Sequence, residues 1–247
     1  MNILAHRQFA ALSAALMLAA LTGCVSELPV DTVRLNAYDA YRAGDAAAAR
    51  DQFAACVRRD PTDYKSHYYL GVIGLNQLND PAYARRHLEL ALTLRDSRLR
   101  RPLVLESGLP ETTVPYPSRA DITDALAEAL YRMGTPQQLF AFLRSTTDEY
   151  GEVSDYLRLA EYLAKSGDHD AAKNSYIQAI KVSPADDPTA ELALADFYDA
   201  IGDRPAALVQ LRAAYGIDPT LEGLTDRIRA HGLVPGPTIA LPRQYTP

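Results

Sequence analysis

The chain has 247 residues, with 31 acidic against 25 basic side chains, a formal charge of −6, no tryptophan and 15 tyrosines. An acidic balance excludes a general nucleic-acid-binding face, which needs Lys and Arg gathered opposite phosphate. The length is enough for one large or one elongated domain with a real core.

At the start of the chain, Phe9 to Leu21 is an apolar run broken only by Ser13, preceded by Arg7 and closed by Leu21-Thr22-Gly23-Cys24. A basic start, a short apolar stretch and small residues before a cut point make the layout of a secretory signal. The run is shorter than the roughly 20 apolar residues that cross a bilayer. Its Leu-Thr-Gly-Cys end resembles the lipobox of bacterial lipoproteins. That resemblance implies a signal peptide over 1–23, cleavage before Cys24, acylation of Cys24, and a lipidated tether over 24–32. Each buried methylene contributes about 0.8 kcal/mol, so several acyl chains hold nearly permanently. Val25 follows the cysteine in place of the Asp that often marks inner-membrane retention, which favours the outer membrane, with the body on its periplasmic face. The eight residues from Val25 to Thr32 span at most about 28 Å, so the first helices stay near the membrane. With lipid on Cys24, Cys56 has no intramolecular disulfide partner and reads as a small buried apolar residue.

Beyond the tether a pattern returns about every 35 residues. Around Gly44 stand Ala37, Ala49, Phe53, Cys56 and Pro61; the same steps from Gly167 land on Ala160, Ala172, Tyr176, Ala179 and Pro184. From Gly202 they land on Ala195, Ala207, Leu211, Ala214 and Pro219. Small residues let two helices approach, a Gly-Asp turn reverses the chain, large apolar residues fill the seam, and proline stops the second helix. Two further units are less regular: Leu70-Gly71 with Ala84, Leu88 and Ala91, where Asp96 replaces the proline, and Ala127, Leu130, Tyr131 and Gly134 with Leu139, Leu143 and Thr146. Leu221 to His231, apolar at Leu224 and Ile228, reads as the capping helix that such an array needs.

This spacing resembles the tetratricopeptide repeat (TPR). The resemblance implies an all-α, right-handed helical solenoid of about five helix pairs over residues 33–232, plus the C-terminal capping helix. Residues 102–118 carry Pro102, Pro110, Pro115, Pro117 and Gly108 and form an irregular loop, long enough to be functional. Residues 233–247 contain four prolines and read as an extended tail, either loose or laid along the body.

No catalytic or metal-binding constellation stands out. His67, His87, His169 and His231 form no i, i+4 pair, and no second cysteine completes a zinc site. The Asp168-His169-Asp170 triplet falls in an inter-helix turn, and Asp121, Asp124 and Glu128 read as a solvated helical face. Phosphate loops and nucleophile elbows are absent. The chain therefore reads as a non-enzyme with no cofactor, no metal and no small-molecule substrate. Its partner is a peptide or protein, not nucleic acid.

In TPR proteins the first helix of each pair lines the concave face. Carried onto this chain, the resemblance puts Arg34, Tyr38, Tyr41 and Arg42 in the first unit's share of a partner-binding groove, and Tyr68 and Asn76 in the second's. Glu128, Tyr131 and Arg132 follow, then Glu161 and Lys165, then Asp196 and Asp199, so that the groove runs from basic to acidic. Each tyrosine has two readings, recognition or inter-helix packing. The Lys/Asn/Arg carboxylate clamp of chaperone-binding members is not reproduced. Arg85, Arg86, Arg95, Arg98, Arg100 and Arg101 form a basic cluster that reads either as a site for anionic headgroups or an acidic partner, or as a solvated helix end. The function that follows is a membrane-anchored scaffold or adaptor lipoprotein in envelope, pilus or secretion-complex assembly. The alternative is an enzyme or carbohydrate-binding lipoprotein acting through loop 102–118.

Overall fold

The computed structural model describes residues 28–99 and 114–245. The leader, Cys24, Arg100, Arg101 and most of loop 102–118 lie outside the described residues. Every regular element among the described residues is helical, with eleven α-helices and one short 3-10 turn. They fall into two compact units.

The first unit holds α1 (Val30–Arg42) and α2 (Ala46–Arg59). The helix begins inside the stretch read as tether, because Asp31 sits in its first turn and pairs with Arg34 at 2.6 Å. Ala37, Ala49, Phe53 and Cys56 are fully buried, as the repeat pattern predicts. Cys56 is a free thiol, its Sγ 3.8 Å from the Val30 carbonyl.

The second unit contains four helix pairs and a cap. The pairs are α3 (Tyr64–Asn76) with α4 (Pro81–Leu99), and α5 (Arg119–Arg132) with α6 (Pro136–Glu149). They continue with α7 (Val153–Lys165) and α8 (His169–Val182), then α9 (Thr189–Ala200) and α10 (Arg204–Ile217). The cap is α11 (Leu224–Ala230).

The turns show how short sequence signals build each hairpin. Gly167 and Gly202 take φ of 86° and 83°, left-handed values that glycine adopts without a Cβ penalty. The next residue, Asp168 or Asp203, caps the second helix, its carboxylate accepting from the amide of Ala171 or Ala206 at 3.1 Å. Ser183 and Asp218, each preceding a proline, are extended, so α8 and α10 end there. Asp96 supplies no such stop, and α4 runs on to Leu99. The cap begins at Leu224 rather than Leu221, because Gly223 at its N-cap has a φ of 75°. Leu224 and Ile228 are buried against Ala195, Leu211 and Ala214.

Where the small residue is glycine the approach is closest. A Cβ on Gly71 would meet Leu88 Cγ at 2.5 Å, and Leu88 is fully buried. Gly71→Ala therefore lowers stability by about 1–3 kcal/mol through overpacking. Adding Leu88→Ala relieves the clash, so a double-mutant cycle in urea shows favourable coupling between the two changes.

Between α3 and α4, the His67 and His87 Nδ1 atoms lie 2.9 Å apart. Burial first, then the neighbouring His67 and Arg86, push His87 down to about 4. The folded state thus favours the neutral ring, and the unfolded chain binds more protons between its ordinary pKa and the lowered one. Stability is full above about pH 6.5 and falls as pH drops from there towards 4. Thermal melts between about pH 7 and about pH 5 show a drop of several degrees that His87→Gln reduces.

Candidate functional site: the wall of first helices

In the second unit the first helices α3, α5 and α7 are joined side by side by polar contacts, and α9 is joined in the same way to the cap α11. Arg132 on α5 donates to the Leu75 carbonyl of α3 at 2.9 Å and to Glu128 at 2.6 Å. The Tyr162 hydroxyl of α7 donates to Glu128 at 3.0 Å. Lys165 pairs with Glu161 at 2.7 Å and lies 4.5 Å from the Tyr162 ring centre and 5.6 Å from that of Tyr131. The two tyrosine rings are 5.5 Å apart.

Five predicted groove residues, Glu128, Tyr131, Arg132, Glu161 and Lys165, are thus brought into one cluster. Tyr131 is the solvent-facing aromatic, 46% exposed, whereas Tyr162 is buried. Burial, then the bond to Glu128, pushes the Tyr162 hydroxyl far up from its ordinary value. Burial pushes Glu128 up, but the hydrogen bonds from Arg132 and Tyr162 outweigh it and hold the carboxylate below its usual range. Beside the cluster opens a recess of about 120 Å³ lined by Tyr131, Leu139, Phe140 and Tyr162. A more open depression of about 410 Å³ along α6, lined by Pro136, Phe140 and Arg144 among others, shares two of the recess's lining residues.

The remaining predicted residues have other surroundings. Asp196 pairs with Arg227 of the cap, and Asp199 with His231 at 3.1 Å, so the acidic end is met by positive or protonatable partners. Tyr68 is half-buried with its ring 5.2 Å from Tyr69, packed on the core, and Asn76 is exposed. In the first unit Tyr38 and Tyr41 stack with ring centres 6.4 Å apart, and Arg42 is exposed. Burial, then Tyr38, raises the Tyr41 hydroxyl.

The acids of the α5 face are exposed at Asp121 and Asp124 and half-buried at Glu128, and each also has a specific partner. Asp121 completes a capping box with Ser118. Asp124 binds Arg158, which also reaches Asp155 at 3.0 Å. Asp155, fully buried, takes a further bidentate pair from Arg119 at 2.8 and 2.9 Å. Arg119 also binds Glu152 and lies 4.1 Å over the Tyr150 ring. This Arg119-Asp155-Arg158 brace and Tyr162 escaped the sequence reading. A signal for them existed: Asp124 and Arg158, like Glu128 and Tyr162, stand 34 residues apart, about one repeat.

Among the described residues no three His, Cys, Asp or Glu side chains are grouped to hold a metal ion. No helix among them is long and apolar enough to cross a membrane.

Stacked hairpins with glycine turns, capped second helices and a wall of first helices define an all-α helix-hairpin repeat protein. The Tetratricopeptide repeat family matches residues 34–98 and 157–222, more than half of the chain, and the chain belongs to that family. Its members are scaffolds that bind peptides or proteins. No curated protein matches the sequence. Among solved structures, the thermophilic TPR protein TTC0263 of Thermus thermophilus is 20% identical, with a TM-score of 0.52 over 83% of this chain and 100% of that one. The MamA protein is 18% identical, with a TM-score of 0.51 over 84% of this chain and 98% of that one. These likenesses show the fold.

Replacing Asp155 by Asn leaves two buried arginines without their shared carboxylate. Asp155→Asn therefore destabilises the second unit by about 3–5 kcal/mol in urea unfolding, whereas Asp121→Asn, at an exposed cap, costs about 1 kcal/mol or less.

Proposed function

We propose that this chain is a lipid-anchored TPR adaptor that holds a peptide or protein partner at the periplasmic face of the outer membrane, in the assembly of an envelope, pilus or secretion complex. The observation that carries the binding half is the Tyr131-Tyr162-Lys165 cluster beside its apolar recess. Glu128, Arg132 and Glu161 already pair within the cluster, so recognition rests on what remains open. That is the exposed face of Tyr131, the Lys165 donors not taken up by Glu161, and a recess for one apolar side chain. Aromatic surface of this kind gives contact area at small entropic cost.

The anchor half rests on Leu21-Thr22-Gly23-Cys24, with residues 1–23 as signal peptide and Cys24 as the lipidated residue. Acylation concentrates the wall in two dimensions near its partner, which raises the effective concentration without new contacts. The tether is short, because helix α1 already begins at Val30.

Both halves are testable in cells. The chain incorporates labelled palmitate and sediments with membranes; Cys24→Ala abolishes both. A pull-down from membranes recovers a stoichiometric protein partner. Its yield falls at least about tenfold on Tyr131→Ala plus Lys165→Glu, as expected for an aromatic and charged hot spot. Tyr41→Ala plus Arg42→Glu tests the first unit's share in the same way. Unchanged recovery in both double variants contradicts the groove, and label retained on Cys24→Ala contradicts the anchor.

A further inference from the structure

The segment after the cap is laid along the second unit and held by an arginine. Among its described residues, 233–245, none is fully buried, and Val234 is 83% exposed. Its middle is fixed through the backbone: Arg212 Nε donates to the Ile239 carbonyl at 2.7 Å, and the Leu241 amide donates to the Arg212 carbonyl at 3.1 Å. The segment lies so close to α10 that a Cβ on Gly216 would collide with the Leu241 carbonyl. These contacts read no side chain of the segment.

Arg243 is different. Its Nε donates to Glu191 Oε1 at 2.5 Å, and Nη1 to the carbonyls of Ser183 and Pro184 at 3.0 and 3.1 Å. Nη2 donates to the Asp187 carbonyl at 2.8 Å and to Glu191 Oε2 at 3.4 Å. The five contacts use the planar fork of a guanidinium, which a lysine ammonium does not supply. The socket is built by the α8–α9 loop and the first turn of α9. The Glu191 side chain is 1% exposed beneath the arginine, which is itself 13% exposed.

A charge-assisted site this well matched, entered by a strap with no fully buried residue among 233–245, although Leu233, Ile239 and Tyr245 pack partly on the core, combines selectivity with release. We propose that Ser183, Pro184, Asp187 and Glu191 form a guanidinium socket for an extended, proline-flanked, arginine-bearing peptide. Segment 233–245, with Pro242 before Arg243, is its resting occupant in cis, and a partner segment of the same chemistry displaces it. Tethering gives the internal segment an effective concentration on the order of millimolar, so a free peptide competes poorly until the segment is released.

The test uses the full chain with Arg243→Ala, whose segment has lost its anchor, and a fluorescein-labelled peptide of residues 233–245. The peptide binds this variant at least about tenfold more tightly than the unaltered chain, because the socket is vacant. Replacing the peptide's arginine by lysine, or adding Glu191→Gln to the chain, weakens binding at least about tenfold. Equal binding to variant and unaltered chain, indifference to lysine, or no binding to a folded variant overturns the proposal. If Arg243→Ala does not fold, hydrogen exchange on the unaltered chain decides. The Leu241 amide exchanging at least about a hundredfold faster than the Ala213 and Ala214 amides of α10 supports a displaceable strap, and equal protection overturns it.

Discussion

Two helices come close only where the residues at their crossing are small, and among the described residues four of the five hairpins obey that constraint, whereas α5–α6 sets Ala127 against Leu139 and Leu143. Ala37 faces the α1–α2 seam with Ala49, Ala160 the α7–α8 seam with Ala172, and Ala195 the α9–α10 seam with Ala214, all fully buried. At Gly71 and Gly74 the spacing tightens until even a methyl group collides with Leu88 or Tyr83. The larger partners, Phe53, Leu88, Leu143, Tyr176 and Leu211, then fill the seam from one side. Removing solvent from these seams supplies the main favourable energy, on the order of 25 cal/mol per Å² of apolar surface.

The same spacing sets the surface chemistry of the second unit. Side chains one repeat apart come within hydrogen-bond reach, which is why Asp124 finds Arg158 and Glu128 finds Tyr162 across 34 residues of sequence. A wall assembled this way cancels much of its own charge. The run from basic to acidic that the sequence suggests is lost at its acidic end, where Arg227 and His231 of the cap stand against Asp196 and Asp199. The cap thus covers the last apolar seam with Leu224 and Ile228 and also faces the acids beside it. Exposed pairs of this kind contribute only about 0–1 kcal/mol each. Their effect is to leave aromatic faces and one apolar recess as the distinctive features of the cluster on α5 and α7.

What was legible in the sequence was what repeats locally. Ala, Gly and large apolar residues at helical spacing identify the hairpins, and Gly-Asp turns place their ends, because each signal acts within a few residues of itself. Pairings across elements were hidden. Arg119, Asp155 and Arg158 look like ordinary surface charges in a linear reading, yet all three are buried in one network. Nothing local in the linear sequence sets Tyr162 apart from its neighbours Glu161 and Lys165, although it lies at the centre of the cluster. The proline-rich segment has no period at all. Its place along α9 and α10 depends on Arg243 meeting a carboxylate 52 residues earlier.

Arginine does two kinds of work in the second unit, and the kind of element that carries it separates them. Arg119 and Arg158 share the fully buried Asp155, so breaking either contact strands a charge away from water, and the brace behaves as permanent structure. Arg243 makes as many contacts, but on a strap with no fully buried residue, so its departure exposes one carboxylate at a surface that water reaches once the strap lifts. The rigid brace keeps α5 and α7 in register and with them the Tyr131 and Tyr162 cluster, which lowers the ordering cost of any partner bound there. A fixed wall and a releasable strap therefore follow from one residue type placed on two kinds of element, packed helices and an extended segment, in the same repeat architecture.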